Sequence, residues 1–99
     1  MMLSKEVKVS VNYMPVQIGE FVQRFIESVI KGILNSLKGY GEERNVSLLI
    51  NNDIVEITVG KDTLQLNPFV SIFVKNTVIG MVSSLKDVKQ IERLEINIS

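Results

Sequence analysis

The side chains best placed to do chemistry in this 99-residue chain are amides and carboxylates. Asn12-Tyr13-Met14, Asn51-Asn52-Asp53 and Asp87 stand where apolar alternation breaks, and Glu42-Glu43 and Glu92, Glu95 are the other close groups of acids. Neither histidine nor cysteine occurs. That removes thiolate nucleophiles, disulfides, the usual zinc donors and imidazole proton shuttling together. Oxygen ligands alone would need a clustered loop, and Asn51-Asn52-Asp53 is too short and too weakly charged for calcium. No metal or cofactor is therefore expected. Solvated carboxylates keep ordinary acidity and make poor general acids or bases, so the chain reads as non-enzymatic. Turn amides beside a helix start can instead hold an anionic group through backbone N–H donors. If a small ligand binds, Asn12, Tyr13, Asn51, Asn52 and Asp53 are its expected site, with Met14 and Asp87 nearby. The same residue types favour turns for purely local reasons.

The elements that must position these residues follow from periodicity. Lys5 to Val11 alternates, with Val7, Val9 and Val11 on one face, which predicts a half-buried strand. From Pro15, apolar residues between Ile18 and Leu37 recur at helical spacing, while Gln17, Glu20, Gln23, Arg24, Glu27, Lys31, Asn35 and Lys38 fill the other face. Gly39 and Gly41 supply a stop. Val46, Leu48, Ile50 and Val55, Ile57, Val59 form two further strand faces. A two-residue Asn51-Asn52 turn would pair Ile50 with Asp53 and Leu48 with Val55. Gly60-Lys61-Asp62 reads as a turn, and Thr63 to Leu66 as either a short strand or a lead-in. Asn67 and Pro68 suit the N-cap and first position of a second helix. In it Phe69, Phe73, Met81 and Leu85, with Val70, Thr77 and Val78, give the expected buried face. Leu94, Ile96 and Ile98 alternate as a last strand.

A shift of 48 residues lays the first half of the chain on the second without a gap. Val7 falls on Val55, Phe21-Val22 on Phe69-Val70, Phe25 on Phe73, Gly32 on Gly80, and Ile50 on Ile98. The pattern reads as two copies of one βαβ unit, about 5–51 and 53–99, in one domain. Two interlocked units predict an α+β fold with the ferredoxin-like order βαββαβ. Its four-stranded antiparallel sheet, in the order 4-1-3-2, carries both helices on one face. Mid-helix Gly32 and Gly80 each cost about 1 kcal/mol relative to alanine. Close approach of the two helices, or of helix to sheet, is the expected compensation.

The repeat gives each position of the second helix a counterpart in the first. Ile72 falls on Arg24 and Ile79 on Lys31, so isoleucine stands where the first helix shows charge. Ile72, Asn76, Ile79 and Ser83 are the expected stripe for a second copy of the chain, making a homodimer or other homo-oligomer. Lys plus Arg and Asp plus Glu both total 11, leaving no net charge and no basic run for nucleic acid or an anionic membrane. Thr63 to Leu85 has the length of a membrane span, but a central Lys75 costs about 2.5–3.5 kcal/mol there. No membrane partner is expected. Met1 to Glu6 lacks a signal-peptide layout, which with the absence of cysteine points to the cytoplasm.

Val16-Gln17-Ile18-Gly19-Glu20-Phe21, followed by Asn51 to Ile57, resembles acylphosphatases over two short segments. That resemblance implies a small hydrolase with a phosphate cradle at the loop after the first strand. The family's arginine would follow Phe21, where this chain has Val22, and its cradle glycine is replaced by Ile18. By topology alone, the chain also resembles the amino-acid-binding ACT domains, regulatory modules without catalysis. RNA-recognition motifs stack bases on strand aromatics, and no aromatic falls on a predicted strand here.

Overall fold

The computed structural model describes residues 6–37, 45–85 and 88–99. Six strands and two helices follow in the order β1 (Val7–Val11), β2 (Met14–Val16), α1 (Glu20–Ser36), β3 (Val46–Asn51), β4 (Ile54–Val59), β5 (Asp62–Thr63), α2 (Pro68–Val82) and β6 (Arg93–Ile98). The strands form one antiparallel sheet in the order β2-β1-β6-β3-β4-β5. The fold is α+β. The helix stop expected at Gly39 and Gly41, and the residues Glu42-Glu43 and Asp87, lie outside the described residues.

The four long strands stand in the order 1-4-2-3, and this corrects the expected 4-1-3-2. The cause lies in two short returns. Asn12 and Tyr13, both at positive φ (50° and 70°), turn the chain straight back so that β2 pairs with the outer edge of β1. Gly60, at φ 59°, begins the matching return that lays β5 on β4. The ferredoxin-like order needs both edges of the first strand in each unit, and each here has one edge taken. β3, whose one edge is taken by β4, and β6, whose one edge is taken by β1, therefore meet at the centre. Pro15 is tolerated because β2 is an edge strand.

The hairpin between β3 and β4 also turns one residue later than expected. Asn51 pairs with Ile54 and Ile50 with Val55, so Asn52-Asp53 form the turn and Asn52 takes the positive φ, 55°. The apolar residues keep their face, because pairing moved by an even number of positions.

The pairing pattern itself repeats at 48 residues. Val7 opposite Ile98 in β1–β6 matches Val55 opposite Ile50 in β4–β3, and Val9 opposite Val16 in β1–β2 matches the Leu64 N–H to Ile57 carbonyl bond. Leu48 and Ile96, themselves 48 apart, stand directly opposite each other in β3–β6. A local two-fold axis therefore passes between them.

Apolar residues at alternate strand positions line one face of the sheet, and Ile26, Ile30, Leu34 of α1 and Val74, Val78, Val82 of α2 cover it. Spacing of i, i+4, i+8 sets each trio on one helix face. The other sheet face carries Lys8, Ser10, Ser47, Leu49, Glu56, Thr58, Glu95 and Asn97, all exposed or half-buried and mostly polar. As the sequence predicts, α2 begins at Pro68, with the Asn67 side chain accepting the Val70 N–H at 2.8 Å.

Candidate functional site

Asn12 and Asn52 do come together at one end of the sheet, but both are spent on the backbone of the segment entering β6. The Asn12 side chain accepts the backbone N–H groups of Glu92 and Arg93, both at 2.9 Å, and donates to the Gln90 carbonyl at 2.8 Å. Asn52 donates its backbone N–H to Glu92, and the Arg93 guanidinium lies 4.7 Å from the centre of the Tyr13 ring. This network fastens the β1–β2 turn and the β3–β4 turn to the segment entering β6. An open depression of about 640 Å³ lies beside it, lined by Asn12, Met14, Gln17 and Gln90 among others. Val16, paired with Val9, is the last residue of the edge strand, and Gln17 and Ile18 of the segment resembling a phosphate cradle connect it to Gly19, the N-cap of α1. Val22 packs against the core and Arg24 is exposed on α1. Among the described residues, no group of three or more acids is placed to hold a metal ion.

Asp53 leaves this cluster for α2. Its carboxylate accepts from the Lys75 ammonium at 2.6 Å, and that hydrogen bond, with the charge attraction behind it, holds the Asp53 carboxyl below the usual carboxylate range. A lowered acid stabilises the fold above the ordinary range and loses that contribution as pH falls through the lowered value. Lys75→Met should return the Asp53 midpoint to the ordinary range in an acid titration followed by carboxyl carbon shifts. An unmoved midpoint would show that Lys75 does not hold it. Because Asp53 is almost fully exposed, the pair steers the hairpin and contributes little stability.

The larger feature is the outer surface of the helical layer. The expected stripe is divided there: Ile72, Asn76 and Ser83 are exposed, whereas Ile79 is half-buried against the core. Phe69 and Phe73, expected inside, are outside at 71% and 65% exposure. Val74, Val78 and Val82 hold the buried face instead, since apolar residues all round α2 offer two faces and the sheet takes the β-branched one. Phe21 and Phe25, at the same positions of α1, are exposed at 69% and 51%. The rings meet in pairs 5.8 Å apart, edge to face on α1 and stacked on α2. Between the helices runs an apolar groove of about 490 Å³ lined by Phe21, Phe25, Val29, Thr77, Met81 and Leu85 among others.

Gly32 and Gly80 lie on this outer surface. A Cβ built on either would meet no atom within 4 Å beyond the adjoining residues and the backbone of its own helix turns. Neither helix–helix nor helix–sheet contact inside the chain accounts for them, which corrects the expected compensation. Sequence reasoning missed the phenylalanine face, although Phe21, Phe25, Ser28, Gly32 and Ser36 share one row, and a row containing Ser, Gly and Ser is a poor core face.

No described helix is long and apolar enough to cross a membrane. Comparison with protein-family models, with curated proteins and with solved structures finds no match to this chain.

Proposed function

We propose that the chain is a cytoplasmic, non-enzymatic interaction module that self-associates through its helical layer, with both helices taking part rather than the second alone. The observation that carries this is the exposure of four phenylalanines at two equivalent pairs of positions. With about 200 Å² for a fully exposed ring, they present on the order of 500 Å² of apolar surface. The rings form one pair on each helix, and a stable interface takes roughly 800 Å² per partner, so the apolar groove between the helices would be buried along with them. Ile72, which is 60% exposed, extends the patch along the flank of α2. A second copy of the chain offers the same surface and closes around a two-fold axis.

The test is solution mass by light scattering, for the wild type and for a Phe25→Glu, Phe73→Glu double variant, with circular dichroism to establish folding. Both side chains point away from the core, so the fold should persist. Truncating buried aromatic anchors typically costs at least about 2 kcal/mol each, so association should weaken by on the order of 100-fold or more. A wild type that stays monomeric at high concentration, or a double variant that associates as well as the wild type, would sink the proposal.

A further inference from the structure

We draw no further inference here: the strongest candidate, the apolar groove between α1 and α2 lined by Phe21, Phe25, Met81 and Leu85, belongs to the surface already described, and nothing in the structure shows what covers it.

Discussion

Replacing Leu48 with alanine should lower the unfolding free energy by about 3–4 kcal/mol, and Ile96→Ala by a similar amount. Both side chains are 1% exposed, and truncating a fully buried Leu or Ile costs about 2–5 kcal/mol according to how far the site can collapse. These two should lie toward the upper part of that range. They stand opposite each other on the two central strands, walled by strands on both sides and capped by helices, so little can move in. Their equivalence across the local axis predicts nearly equal single losses. Because they are direct neighbours they share a cavity, and the double variant should depart from the sum of the singles by at least about 0.5 kcal/mol. Urea unfolding of the three variants measures all of this. A Leu48→Ala loss below 1 kcal/mol, or strict additivity, would mean that the sheet is not centred on this pair.

Much of this architecture was legible because hydrophobic spacing is a strong signal. The start of α2 at Asn67-Pro68, the strand faces and the 48-residue interval all follow from residue types whose backbone demands are local. Strand order was not legible, for a reason confined to four residues. Asn12-Tyr13 and Gly60-Lys61 make tight returns, and whether the next few residues pair back decides which strands can be central. Tyrosine at positive φ is uncommon and Pro15 argues against a strand, so the first return is nearly silent in sequence. The second carries a glycine and reads as a turn, but the residues after it fit a short strand and a helix lead-in equally.

The misplaced phenylalanines have a different origin. Large aromatics are usually inside, but that rule works in one direction only, since much of any protein surface is apolar. On α2 both faces are apolar, and only tertiary packing chooses between them. On α1 the choice was readable: Ile26, Ile30 and Leu34 form an unbroken aliphatic row, while the row of Phe21 and Phe25 runs into Ser28 and Gly32. Carrying that distinction across the 48-residue shift places Phe69 and Phe73 outside. The turn amides, by contrast, stand at strand ends that alternation marks, and what sequence does not supply is how their hydrogen bonds are spent.

Asn12 decides how much of that end of the sheet is free to bind anything. Asn12→Ala should cost about 2–3 kcal/mol, from two separable sources. The side chain makes three hydrogen bonds, each contributing about 0.5–1 kcal/mol net at an exposed site. The backbone sits at φ 50°, where alanine is worse than asparagine by up to about 1 kcal/mol. Asn12→Gly separates them: glycine accepts the dihedral without strain, so it should recover the backbone part and still lose the side-chain part. Asn12→Asp keeps both acceptor bonds to Glu92 and Arg93 and loses only the donor to Gln90, so it should fall nearest wild type at neutral pH. At about 4–8 °C per kcal/mol for a domain of this size, the alanine variant should melt roughly 10–20 °C below wild type. If Asn12→Ala instead melts with the wild type, the amide does not hold the segment entering β6. The same atoms would then be available to a ligand in the adjoining depression, and the search for function would move from the helical layer to this edge.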